Sequence, residues 1–144
     1  MRILLVHGPN LNLLGERETS RYGHVSSEAL VMDLGTKFNG HEVDYYQSNI
    51  EGELVDKIHE ARKTYDGLLI NAGAFSHSSI AMADAIRSID IPCYCVHISN
   101  IYQRESFRHT DIVGEACKGA IVGLGTEGYV LAMECLLDAL DEAK

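Results

Sequence analysis

One short stretch of this chain concentrates groups that can move protons and hold negative charge. The run GPNLNLLGERETSRYG, residues 8–23, carries Asn10, Asn12, Arg17, Arg21 and Tyr22 between Gly8 and Gly23. A tyrosine beside a guanidinium gives up its proton more readily and can serve as a general base. A second cationic segment holds Arg104 and Arg108, so four of the twelve Lys and Arg residues fall in two short segments. In a chain of net charge −9, cation gathered this way suggests a small anionic ligand. Solvated surface charge is the plain alternative for each arginine taken alone. His97 closes an apolar run and could be a general acid near neutral pH. A structural histidine satisfied in the core is the commoner use of such a position. His77 stands among Ser76, Ser78 and Ser79, where capping competes with recognition of an anion or hydroxyl.

These groups need elements to position them. Apolar runs of strand length occur at Ile3–Val6, Val43–Gln47, Gly67–Ile70, Cys93–Ile98 and Ala120–Gly123. Between them lie segments of helical period near Ser26–Phe38, Gly52–Lys63, Ser78–Arg87 and Gly128–Glu142. Alternation of this kind predicts an α/β fold, a parallel sheet with helices on both faces. Five strands favour a flavodoxin-like doubly wound domain, and no linker divides residues 1–144. Asn39-Gly40 offers left-handed residues to end the first helix. Residues 99–118 lack a clear period and read as an elaborated loop with a short helix. In open α/β sheets, ligands bind beyond the carboxyl ends of the strands. Here those ends lead to Asn10 and Asn12, to Ser48 and Asn49, to Asn71 with Ser76 and His77, and to His97 with Ser99 and Asn100. Turns favour such residues, but four converging ends point to a functional site.

Composition excludes several classes. No run of eighteen apolar residues exists to span a membrane. The short apolar run at the N-terminus reads as a first strand and not as an export signal, so a cytoplasmic protein is expected. The acidic balance disfavours nucleic acid as partner. Cys93, Cys95, Cys117 and Cys135 show no CxxC or zinc spacing and are expected to be buried free thiols. Gly123, Gly125 and Gly128 form a GxGxxG after a strand. Only sixteen residues follow it, too few for the second strand of a dinucleotide-binding unit. A phosphoacceptor module would need carboxylates where His7, Asn10 and Asn71 stand. No Walker, GxSxG or HExxH motif occurs. Metal catalysis therefore has no support in these residues. A small-anion-binding or signalling module without turnover, or a flavin protein, stays open on these residues alone.

The segments GPNLNLLGERE with RYG, QSN-EGELVDKIHEA, NAGAFSHSSIAMADAI, VHISNIYQRESFRH and GAIVGLGTEGYVLA together resemble type II 3-dehydroquinate dehydratase. They span almost the whole chain in that family's order. The type I enzymes instead use a lysine Schiff base on a (β/α)₈ barrel, which 144 residues cannot build. The resemblance implies elimination of water from 3-dehydroquinate through an enolate, in the shikimate route to aromatic amino acids, without a cofactor. It implies Tyr22 as the base and Arg17 as the cation that favours its ionised form and steadies developing charge. It implies His97 as the acid that protonates the departing hydroxyl, and Asn10 as a holder of water or enolate. Asn71, His77 and Arg108, with Ile98 and Ser99, would bind substrate hydroxyls and carboxylate. Asp84 would arrive from a neighbouring subunit, in a homododecamer built from trimers. Gly15 and Gly23 could let the loop close as a lid.

Two positions depart from the family pattern. Cys95 stands where a glutamate often lies two residues before the catalytic histidine, so the imidazole is expected to lose an orienting carboxylate. Ala72 stands where proline is usual after Asn71, which is expected to loosen the backbone there slightly.

Overall fold

The computed structural model describes residues 1–144. Five strands, β1 (Arg2–His7), β2 (Glu42–Gln47), β3 (Gly67–Asn71), β4 (Cys93–His97) and β5 (Gly119–Val122), form one sheet. All neighbours are parallel, in the order β2-β1-β3-β4-β5. This is the expected flavodoxin-like doubly wound arrangement. The helices are α1 (Thr19–Tyr22), α2 (Ser27–Lys37), α3 (Glu51–Thr64), α4 (Ile80–Arg87), α5 (Ile112–Ala116) and α6 (Glu127–Glu142). No helix is long and apolar enough to cross a membrane.

Each face of the sheet carries its own core, as two-sided cover requires. Leu4, Val6, Leu68 and Ile70 pack with Leu54 and Ile58 of α3 and Met82 and Ile86 of α4. Ile3, Leu5, Leu69 and Val96 pack with Leu30 and Leu34 of α2 and Met133 and Leu136 of α6. β3 lies centrally, and all five of its residues are buried.

Local signals explain the helix starts. The Ser26 hydroxyl accepts from the Ala29 amide at 3.1 Å, and Ser79 from that of Met82 at 3.0 Å. Such caps contribute about 1 kcal/mol each. The Asn39-Gly40 expectation is overturned, since neither residue has positive φ. α2 ends at Phe38, and the His41 amide then closes a turn onto the Phe38 carbonyl. Two thiols also depart from expectation. Cys93 and Cys95 are buried on one face, but Cys117 is half-buried and Cys135 is exposed. Cys135 precedes Leu136, whose side chain takes the inward direction on α6. The GxGxxG serves close packing, because a Cβ at Gly128 would lie 3.3 Å from both Ile121 and Val96.

One polar network runs through the core. His7 is fully buried, with Nδ1 2.9 Å from the Tyr45 hydroxyl and Nε2 2.8 Å from that of Tyr129. Burial pushes its pKa down to about 3, so the ring stays neutral. The Asn71 amide nitrogen donates to the same Tyr129 hydroxyl at 3.0 Å. This ties the first strand, the third strand and the last helix into one set.

Candidate active site

The chain leaves β1 toward one side of the sheet and β3 toward the other, so a crevice opens between their carboxyl ends. A cleft of about 640 Å³, its open mouth included, lies there. Of the residues singled out from sequence, Asn10, Arg17, Tyr22, Asn71, His77, His97, Ile98, Ser99 and Arg108 all line it. Ser48 and Asn49 do not. Asn49 instead braces the loop from outside, its side-chain oxygen accepting from the Asn10 amide at 3.0 Å.

The loop after β1 forms one wall. It is not structureless: a 3₁₀ turn spans Leu11–Leu13, and the single turn of α1 ends at Tyr22. Elements this short leave no readable period. Asn10 holds left-handed geometry at φ 70°, and Gly15 and Gly23 sit at φ 91° and 80°. Glycine occupies such backbone without steric cost, so both turns form without strain. The Arg17 guanidinium lies 4.9 Å from the Tyr22 ring centroid. Its terminal nitrogen is engaged by Glu18 at 2.6 Å.

The cation on the Tyr22 oxygen is a different one. Arg104 donates to the Tyr22 hydroxyl at 2.8 Å and to the Ser99 hydroxyl at 3.2 Å. Its side chain is only 7% exposed, and the nearest carboxylate, that of Glu105, stands 4.0 Å away. The Arg104 Nε is buried without a hydrogen-bond partner. A desolvated guanidinium so poorly matched favours negative charge on whatever faces it. Sequence reading noted Arg104 only as part of a cationic segment. Its link to Tyr22 joins residues 82 apart in the chain, which no local pattern reveals.

The opposite wall carries the histidines. His97 ends β4, and its Nε2 lies 2.6 Å from Oδ2 of Asp111, the residue that caps α5. Burial raises the Asp111 pKa, but the hydrogen bond and charge of His97 outweigh it and leave the carboxyl below its ordinary value. Asp111 was not singled out from sequence, because it lies in a segment read as loop. The His77 ring stacks on His97 with centroids 6.1 Å apart, and its Nδ1 contacts the Thr110 carbonyl oxygen at 2.8 Å. Burial lowers the His77 pKa and favours a neutral ring there. Arg108 also reaches the cleft, its Nε donating to Glu105 at 2.7 Å.

The Cys95, His97 and Asp111 donor atoms lie within 4.8 Å of one another. Two of them are joined by the short hydrogen bond. Hydrogen bonding with Cys117, together with burial, holds the Cys95 thiol well above its ordinary pKa. The three side chains form one hydrogen-bonded set. Asn71 is fixed from both sides, its oxygen accepting from the Gly73 amide at 3.1 Å and its nitrogen bonded to Tyr129. Ala72 has φ −80°, within the range a proline would impose. Asp84 is absent from the cleft. It sits on the outer face of α4, 70% exposed and 3.8 Å from Arg87.

Comparison with known proteins agrees with this geometry. Residues 1–137 match the family described as Dehydroquinase class II. A 3-dehydroquinate dehydratase of Bacillus cereus is 49% identical over 144 residues, covering 99% of each chain. The crystal structure of a type II dehydroquinase from Butyrivibrio crossotus superposes with a TM-score of 0.91 at 45% identity, covering 95% of this chain and 97% of that one. A second, from Propionibacterium acnes, gives 0.89 at 40% identity over 94% of both. The chain belongs to the class II dehydroquinase family.

Proposed function

We propose that the protein is a type II 3-dehydroquinate dehydratase, acting through an enolate in a cytosolic route to aromatic amino acids. Four free cysteines suit that reducing setting. The observation that carries the reading is the Tyr22 hydroxyl held at 2.8 Å by the nearly buried Arg104, in the same cleft as His97. Tyr22 as phenolate removes the proton beside the substrate ketone. Arg104, bonded to its oxygen, and Arg17, stacked on its ring, stabilise that phenolate by charge. Negative charge then passes to the ketone oxygen as the enolate forms, and Asn10 is placed to receive it or a bridging water. The carbon–oxygen bond to the leaving hydroxyl breaks as His97 donates a proton to it, giving water and a conjugated enone.

Arg108, with Ser99 and the backbone at Ile98, is suited to the substrate carboxylate. Asn71 and His77 are suited to its ring hydroxyls. The ketone stores the charge, so no cofactor is invoked. Gly15 and Gly23, at φ 91° and 80°, are suited to let the loop close and exclude water.

Mixing the protein with 3-dehydroquinate should raise the ultraviolet absorbance of the enone. The Tyr22→Phe variant, folded to the same degree, should lose most of that rate. A folded protein that binds the compound without any absorbance rise would replace this reading with that of a binding module. We further propose that Asp84 serves a neighbouring copy's cleft within a dodecamer of trimers. Its exposure on α4 beside Ile80, itself 65% exposed, fits a face that meets another subunit. Light scattering should then report twelve chains, and a monomer would overturn it.

A further inference from the structure

We infer that Asp111 is the positioning residue for His97, its carboxylate holding the imidazole by Nε2 and leaving Nδ1 as the nitrogen for the leaving hydroxyl. This rests on the assignment of His97 as the acid. β4 has no carboxylate to offer, because Cys95 occupies the place two residues before His97, with its sulfur 3.4 Å from Nε2. The negative charge arrives instead from the start of α5, across the chain. Asp111 Oδ2 accepts from His97 at 2.6 Å while Oδ1 accepts from the Gly114 amide at 2.8 Å, so the carboxylate is fixed at both oxygens.

Gly114 is part of the device. A Cβ there would lie 2.2 Å from Asp111 Oδ2, so the missing side chain is the room the carboxylate occupies. The preceding residue is tied in as well, since the Thr110 carbonyl contacts His77, which stacks on His97. The start of α5 thus fixes one histidine by side chain and the other by backbone. A carboxylate on one ring nitrogen fixes the orientation of the imidazole and leaves the other nitrogen free to exchange protons. The other titratable groups around the ring are Cys95 on the same strand, His77 on the facing 3₁₀ turn, Cys117 at the end of α5, and Arg108 beyond His77.

Asp111→Asn keeps the size and one capping oxygen but removes the charge. It should lower kcat about tenfold or more with little change in KM. The alkaline limb of its pH–kcat profile should move down by about one to two pH units. Gly114→Ala, with Asp111 retained, should move that limb in the same direction by displacing the carboxylate. The His97 ring nitrogens should be followed by nuclear magnetic resonance titration without substrate. The imidazole should then lose its proton at lower pH in Asp111→Asn than in the parent protein. If Asp111→Asn folds poorly, Asp111→Ser retains a capping oxygen and carries the same expectations. Unmoved profiles and an unmoved His97 titration would overturn the inference, even if kcat fell. A parent protein that shows no turnover would defeat the proposed activity instead, while the resonance titration would still decide the role of Asp111.

Discussion

At the scale of single residues, the placing of charge around Tyr22 decides what the cleft can do. Arg17 was the expected partner, and it lies over the ring while bonded to Glu18. Arg104 holds the oxygen itself and has almost no competing carboxylate. Arg104→Met should therefore cost about a hundredfold in kcat, the scale of one lost charge-stabilising donor. Arg104→Lys should recover part of it. Steady-state kinetics on folded variants would check both, and parental kcat in Arg104→Met would remove Arg104 from the chemistry. Residue types announced much of this site before any fold was known. Tyr22 stood out beside arginines in a polar loop, Arg108 as part of a second cationic segment, and His97 as the close of an apolar run. Asp111 did not, since an aspartate before a weakly periodic segment looks like any surface acid. Only the approach of α5 to the end of β4 gives it a partner.

At the scale of elements, strands were easy to read and short helices were not. The runs of β1, β3 and β4 are apolar because they are buried on both faces, and that leaves a strong signal. α1 and α5 have four and five residues, too few for a face to repeat. Those two elements deliver Tyr22 and Asp111, so the least readable pieces carry much of the site. The rigid frame that they hang from has its own close contact. A Cβ on Gly8 would meet the Ala72 carbonyl oxygen at 2.2 Å, where the turns after β1 and β3 pass each other. The Gly8 amide donates to the Asn71 carbonyl at 2.8 Å across the same gap. Gly8→Ala should force these turns apart, at a cost of about 1–3 kcal/mol. Asn10 and Asn71 would separate with them, so kcat/KM should fall as well. Urea unfolding and the absorbance assay would measure the two effects, and an unchanged urea midpoint would show that the backbones can part freely.

At the scale of the whole molecule, the buried His7 makes stability depend on acid. Its folded pKa of about 3 lies below the ordinary 6.5 of the unfolded chain. Below pH 6.5 the unfolded chain gains a proton that the folded chain refuses. Stability from this group is complete above that pH and declines as pH falls toward 3. At about 1.4 kcal/mol per pH unit, roughly 2 kcal/mol should be lost by pH 5. Urea midpoints at pH 7 and pH 5 would register it, and His7→Gln should flatten the difference. A parent protein with equal midpoints would show that the ring takes up its proton in place. The doubly wound order was predictable from the alternation of strands and helices. The His7 network was not, because it joins residues 122 apart.

That same bond sets a schedule for the chain as it is made. In the order of synthesis His7 precedes Tyr129, its partner at 2.8 Å, by 122 residues. Until α6 emerges, the imidazole on the innermost face of β1 has no hydroxyl on that nitrogen. The half-made sheet therefore carries an unmatched polar group at the end of β1. Arg104 likewise appears long after Tyr22, so no nascent fragment ending before it has the Tyr22 hydroxyl paired. A chain arrested before residue 129 should stay open to protease, and extension through α6 should close the fold in one step.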